Sequence, residues 1–375
     1  MAEIEVRKLR KVFGEFIAVR ESSFTIHDGE FFVMLGPSGC GKTTTLRMIA
    51  GLELPTEGEI LLDGEDVTFK RASQRDIAFM FQLFALYPHM NVRQNISFPL
   101  RCQGTPRAEI KSRVEETASL LRIDHLLDQP VSRLAGGDRQ RVALGRAIVR
   151  RPKAFLMDEP LGALDAEFRE LMTEELRGLH NRMGATTLYV THDQLEAMSM
   201  ADRIMVMNHG VIEQLATPQE IYDRPATMFV ADFIGSPSMS MLHFEGAVEP
   251  GQNSVPMNGS RIPVPTLREG RANGELVLGV RPEHVTLSDA SDFRGEIFGM
   301  EYLGTTQVLT IQTHHGTIKA RVPSDNHVAV GETVGLELRS ERLVVFEGEK
   351  GRALKSDLYL TPDRSGQNRR EGAHG

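Results

Sequence analysis

Gly36-Pro37-Ser38-Gly39-Cys40-Gly41-Lys42-Thr43 is the stretch whose reading decides the fold. It has the spacing GxxxxGK followed by Ser or Thr, an apolar run (Phe31-Phe32-Val33-Met34-Leu35) leads into it, and a helix pattern from Thr43 to Ile49 follows it. Glycines let the backbone turn back on itself so that several N–H groups converge, and the helix N-terminus adds partial positive charge. The natural occupant of such a concavity is anionic phosphate. Gly36 to Thr44 would line it, with Lys42 reaching the β- and γ-phosphates and the Thr43 hydroxyl ligating Mg²⁺. A plain glycine-rich turn would account for the glycines but not for the closing Lys-Thr. For Cys40 two readings stand side by side: a small filler of the loop, or a thiol sensitised by the helix N-terminus.

Outward from the loop, Ile4 to Leu9, Phe24 to His27, Glu59 to Leu62 and Ile77 to Phe81 read as short strands, taken with Phe31 to Leu35 as one open sheet. From about Arg93 to Arg150 apolar residues recur three and four apart among charges, most clearly over Ala108 to Leu121 and Arg139 to Arg150, which predicts a helical insert. Strand patterns return at Ala154 to Met157, Thr187 to Val190 and Arg203 to Met207, with a helix over Ala166 to Met183. Such βαβ alternation implies an α/β fold on a mostly parallel sheet.

Three strand ends carry polar groups. Phe155-Leu156-Met157 runs into Asp158-Glu159, which belong at the carboxyl end of a buried strand, where open α/β sheets bind ligands. Asp158 would hold Mg²⁺ through water, and Glu159 would polarise an attacking water. His192 ends the next strand within reach of a γ-phosphate, and Gln82 follows Ile77 to Phe81 with an amide for the metal or the water. Taken singly, each of these also reads as a cap, a structural histidine or a loop amide; beside the phosphate loop the catalytic reading prevails.

With 43 Lys and Arg against 51 Asp and Glu the net charge is −8, which gives no general reason to expect phosphate-backbone binding, so nucleic acid is not expected as a partner. Arg139, Arg141, Arg146, Arg150 and Arg151 form a local basic run, read as a solvated face or an ion-pair network. Two cysteines, Cys40 and Cys102, without metal-ligand spacing suit a reducing compartment, hence the cytoplasm. No apolar run approaches the roughly 20 residues that span a bilayer, so neither a signal peptide nor a membrane helix is expected. Past residues 233–237 the composition shifts towards Pro, Gly and Val, and Glu275 to Val280, Gln307 to Gln312, Thr317 to Val322, Thr333 to Leu338 and Arg342 to Phe346 look like strands of a small barrel or sandwich. The boundaries expected are 1–235 for the first domain, with its helical part at about 91–152, then 236–361, then a disordered tail over 362–375.

In order along the chain, the phosphate loop, Gln82, Leu134-Ala135-Gly136-Gly137-Asp138, Met157-Asp158-Glu159-Pro160, Ala163-Leu164-Asp165 and His192 resemble the ATP-binding subunit of an ABC transporter. Beyond them, Phe233-Ile234-Gly235-Ser236-Pro237 and Gly279-Val280-Arg281-Pro282-Glu283-His284 are similar to the maltose and glycerol-3-phosphate importer ATPases, whose C-terminal domain is an OB-like regulatory module. The resemblance implies a P-loop ABC cassette binding ATP and Mg²⁺, in a head-to-tail homodimer where each signature segment, 134–138, faces the partner's nucleotide. It implies Phe13 stacked on adenine, Asp165 communicating between the two sites, and Lys42, Glu159 and His192 as the catalytic set. The implied partners are two transmembrane permease subunits, an extracytoplasmic solute-binding protein and a regulator at the C-terminal domain. The implied location is the cytoplasmic face of the inner membrane, and the implied cargo is a carbohydrate or polyol; polyamine, sulfate or iron would be the alternative. Leu83-Phe84-Ala85-Leu86-Tyr87-Pro88-His89-Met90, unusually apolar for a loop, matches the groove where that family receives a helix of the permease.

The signature departs from the family's LSGGQ. Ala135 lacks the hydroxyl that would bond the γ-phosphate, a loss of roughly 1.5–3 kcal/mol, or about 10- to 100-fold in rate. Asp138 adds a negative charge, and Gly162 stands where a serine is common. Either hydrolysis is slow, or the chain is a clamp that closes on ATP and barely cleaves it; the presence of Lys42, Asp158, Glu159 and His192 favours an active enzyme.

Overall fold

The computed structural model describes residues 2–81, 86–162, 164, 166–257, 260–348 and 351–360, so Gln82, Ala163, Asp165 and the expected tail lie outside the described residues. The chain divides into two compact units, Met1–Pro218 and Gln219–Gly375. Among the described residues no helix is long and apolar enough to cross a membrane.

In the first unit the strands are β1 Ile4–Phe13, β2 Phe16–Ile26, β3 Phe31–Leu35, β4 Glu57–Leu62, β5 Glu65–Asp66, β6 Ile77–Met80, β7 Ala154–Asp158, β8 Thr186–Thr191, β9 Arg203–Asn208 and β10 Val211–Ala216. The helices are α1 Lys42–Ala50, α2 Val92–Cys102, α3 Arg107–Leu120, α4 Gly136–Ile148, α5 Ala166–Met183 and α6 Gln194–Met200. The early strands do not share one sheet. β1, β2, β4 and β5 form an antiparallel sheet in the order β2-β1-β4-β5, while β3 and β6 join a six-stranded sheet in the order β10-β9-β3-β8-β7-β6. In the larger sheet only β10 runs antiparallel to its neighbour.

The physical reason lies in side-chain patterning and in connection length. β3 and β8 are buried along their whole length, as a strand covered on both faces must be. β2 alternates along its second half, and β1 joins it through only two residues, a link that allows an antiparallel pair but no parallel one. Phe32, Met34, Leu156, Leu188, Val190 and Met205 of the large sheet pack with Leu46, Met48 and Ile49 of α1 in one core. The far end of α1 is held by Arg75, which is 1% exposed: its Nη1 donates to the carbonyls of Met48 and Ile49 (2.7 Å each), Nη2 to Thr68 and Nε to Lys70. Carbonyls orphaned at a helix C-terminus are thereby satisfied by a cation, which also complements the helix dipole.

The second unit begins within α7 Pro218–Asp223 and continues with α8 Met228–Phe233. Its strands are β11 Ser240–Val248, β12 Ser254–Met257, β13 Ser260–Pro263, β14 Arg271–Val280, β15 Val285–Leu287, β16 Arg294–Tyr302, β17 Thr306–Thr313, β18 Gly316–Pro323, β19 Thr333–Leu338 and β20 Val344–Glu347. They form a five-stranded sheet β15-β19-β16-β17-β18, a three-stranded sheet β11-β14-β20 and the hairpin β12-β13. The sequence reading passes over β11 and β16, whose interior glycines and charges dilute the strand signal. Residues 233–237 and 279–284 meet each other. Arg281 is 1% exposed, donates to the carbonyls of Ala231, Ile234 and Tyr222, and stacks 4.2 Å from the Tyr222 ring centroid. A Cβ on Gly235 would lie 2.8 Å from Arg281 Nη1. These two motifs are therefore one packing unit.

Candidate active site

The phosphate loop connects β3 to α1 and lies against β2, β9 and the turn after β9. Gly41 caps α1 with a left-handed backbone (φ 107°), and a Cβ there would sit 2.5 Å from the Ala18 carbonyl oxygen; one on Gly36 would sit 2.3 Å from that of Met207. Only glycine fits either place. The first N–H of α1 to find a helical acceptor is that of Thr45, on Gly41 O at 2.9 Å, so those of residues 42–44 point out ahead of the helix. Lys42 is 4% exposed, and its ammonium folds back on the carbonyls of Gly36 (2.8 Å) and Pro37 (2.9 Å). Among the described residues it forms no ion pair. A buried cation held by two carbonyls and the Cys40 sulfur (3.8 Å) without an ion pair, beside outward-facing N–H groups, is a site built for an anion. Cys40 is packed within the loop, and burial pushes its thiol pKa up, which favours the filler reading over a sensitised thiol.

Asp158, the last residue of β7, accepts a hydrogen bond from Thr43 Oγ1 at 2.9 Å. Burial raises its pKa, the Thr43 bond opposes that, and the neighbouring Glu159 charge adds to it. The chain then turns: Glu159 takes a left-handed backbone (φ 44°), a conformation that costs free energy in a non-glycine residue and recurs at functional sites. Its N–H bonds Val190 O at 3.0 Å, and its Oε2 lies 3.3 Å from His192 Nδ1 at the end of β8. Thr43, Asp158, Glu159 and His192, four of the residues read from sequence, are thus brought to one edge of the sheet. Phe13, at the end of β1, is 46% exposed with Lys11 Nζ 4.6 Å from its ring centroid. The donors Thr43 and Asp158 are both oxygen, the chemistry that suits Mg²⁺.

The segment 134–138 stands on a different element. Ala135 is exposed and occupies the N-cap of α4 without any side-chain cap, and Asp138 is in the first turn. Asp138 Oδ1 lies 3.7 Å from Arg141 Nη1, and Arg141 makes a two-point contact with Glu175 of α5 (3.0 and 3.2 Å). Arg151 and Arg150 pair with Glu116 and Asp76, so the basic run is largely engaged in ion pairs. Sequence reading missed Arg75 and the buried Asn95, and read Arg141 only as one of a basic run without its partners Asp138 and Glu175. Asn95 holds the turn at Tyr87, donating to Tyr87 O at 3.1 Å and accepting from Tyr87 N at 2.9 Å. Beside that turn runs a groove of about 450 Å³ lined by Phe79, Phe81, Tyr87, Phe98, Ala143 and Arg146.

Residues 19–162 match the ABC transporter family model, 235–285 the MalK OB fold domain and 278–346 the TOBE domain. The trehalose/maltose import ATP-binding protein MalK of Thermococcus litoralis is 44% identical over 94% of this chain and 100% of its own length. The sn-glycerol-3-phosphate import ATP-binding protein UgpC of Cereibacter sphaeroides is 45% identical with the same coverage. Among solved structures, cbiO1 from Clostridium perfringens, described as part of the ABC transporter complex cbiONQ, aligns with a TM-score of 0.55 at 28% identity, over 58% of this chain and 89% of that one.

Two glycines of this site separate by experiment. A Cβ on Gly162 meets nothing closer than 3.5 Å and would lie 3.8 Å from Glu159 Oε2. Gly162→Ser is expected to fold with stability unchanged or raised by about 0.5 kcal/mol, whereas Gly41→Ala is expected to lose nucleotide binding. Urea denaturation and titration with a fluorescent ATP analogue read the two effects.

Proposed function

The chain belongs to the family of ABC-importer ATP-binding subunits, and on that premise we propose that it is the Mg-ATPase energising import of a carbohydrate or polyol, sugar phosphates and glycerol phosphate included. The observation that carries this reading is the meeting of Thr43–Asp158 and Glu159–His192 contacts beside a buried, carbonyl-held Lys42. Lys42 exchanges its carbonyl partners for the β- and γ-phosphates. Glu159 accepts the proton of the attacking water, and His192, in contact with Glu159, orients that carboxylate and addresses the γ-phosphate. Thr43, Asp158 and Gln82 would hold Mg²⁺, which when bound offsets phosphate charge. Phe13, partly exposed, offers its ring to adenine.

The working form is a head-to-tail homodimer. The uncapped N-terminus of α4, with Gly136 open to solvent, presents N–H groups to a phosphate held by the other subunit; the family resemblance gives Asp165 the role of communicating between the two sites. Asp138 is tolerable there because Arg141 shares its charge. Two permease subunits dock by a short helix in the groove beside Tyr87, which puts the ATPase at the cytoplasmic face of the membrane. A solute-binding protein outside the membrane delivers the cargo, and the β domain offers a surface for a regulator.

Restoring a hydroxyl in the signature tests the phosphate contact. Ala135→Ser is expected to raise steady-state ATPase severalfold; turnover equal to or below that of the parent chain would refute the missing hydrogen bond. Tyr87→Ala is expected to keep ATP binding and lose co-purification with the permease, and undiminished assembly would count against the docking groove.

A further inference from the structure

The contacts around Glu159 and His192 close into a ring through a residue that no motif contains. Arg169, in the first turn of α5, donates from Nη2 to the carbonyl of Leu164 at 2.9 Å and from Nη1 to Asp193 Oδ2 at 3.1 Å. Leu164 immediately precedes Asp165, and Asp193 immediately follows His192. Asp193 is itself fixed: its Oδ1 accepts from the N–H groups of Leu195 (2.8 Å) and Glu196 (3.2 Å), capping α6, and its own N–H bonds Thr191 Oγ1 at 2.9 Å. On the third side of the guanidinium lies Glu196, 5% exposed, whose Oε2 takes the hydroxyls of Tyr189 and Thr191 at 2.8 Å each. Arg169 Nε is buried, without a hydrogen bond, 3.7 Å from Glu196 Oε1.

Each link has a distinct job. Leu161 O holds Leu164 N at 3.0 Å and Glu159 O holds Gly162 N at 3.2 Å, so the turn from the catalytic acid to Leu164 is internally braced. A planar guanidinium reaches two acceptors on separate segments at once with fixed geometry, which an ammonium on a flexible stem does not reproduce. The unmade Nε bond leaves the fork a second arrangement, in which the gap to Glu196 closes to hydrogen-bond length.

We propose that Arg169 is a positioning residue for hydrolysis, tying the segment at Leu164 to the turn that carries His192 so that neither moves without the other. The inference rests on the ATPase reading given above: Arg169 carries displacement of the backbone at Leu164 to the Glu159–His192 pair.

The test compares the full-length chain with Arg169→Lys and Asp193→Asn. Arg169→Lys keeps the charge but not the fork; Asp193→Asn keeps the oxygen that caps α6 but weakens the bond to Arg169. Both are expected to lower kcat, Arg169→Lys by about 10- to 100-fold, while KM for ATP, affinity for a fluorescent ATP analogue and Tm stay at parent values. Parent-like kcat in both variants overturns the proposal, and so does a fall in kcat matched by changes in KM and Tm, the mark of a merely structural residue. If Arg169→Lys does not fold, Asp193→Asn decides by the same criteria. A parent chain that binds ATP without hydrolysing it contradicts the ATPase reading itself and removes this inference with it.

Discussion

A buried ammonium held by two carbonyl oxygens and the Cys40 sulfur, with no ion pair among the described residues, sets the terms for the rest of the first unit. Burying an unpaired charge costs several kcal/mol, and Lys42, 4% exposed, offsets part of that with the Gly36 and Pro37 carbonyls. The arrangement is sustained by what surrounds it: glycines where a Cβ would strike the backbone of residues 18 and 207, a helix behind the loop, and Arg75 holding that helix at its far end. An incoming triphosphate supplies the missing countercharge, so ligand binding and relief of the buried cation are one event. The strand-end acids then face a centre whose position is already determined.

The signature segment shows how a cassette accommodates altered chemistry. Ala135 leaves the start of α4 without a side-chain cap, and the acid at 138 would repel phosphate if isolated. Arg141 answers the second problem by lying between Asp138 and Glu175, which also links the signature helix to α5. The same α5 carries Arg169 at its start. One helix thus touches both α4, which carries residues 136–138, and the turn that follows His192.

What the sequence reveals are features whose determinants are local. The phosphate loop, the strand ending in Asp158-Glu159, and the helix over 166–183 are each written in consecutive residues, and the structure has that helix with the same bounds. Burial on both faces makes β3 and β8 readable as continuous apolar runs. What stays hidden depends on contacts between distant residues. That β1 and β2 do not join β3 in a sheet follows from the alternation of β2 and the two-residue link between β1 and β2, which strand propensity taken segment by segment does not weigh. Arg75, Arg141 and Arg169 reach acceptors 27, 34 and 24 residues away, and no spacing rule marks such guanidinium bridges. The glycines at 36, 41 and 162 look alike in sequence, yet only the first two are sterically required.

The most direct measurement is single-turnover cleavage of radiolabelled MgATP by the Glu159→Gln chain beside the parent. The account predicts that the variant binds nucleotide as tightly as the parent while cleavage slows by at least about 100-fold. Cleavage at the parent rate, or no nucleotide binding by either chain, would contradict it.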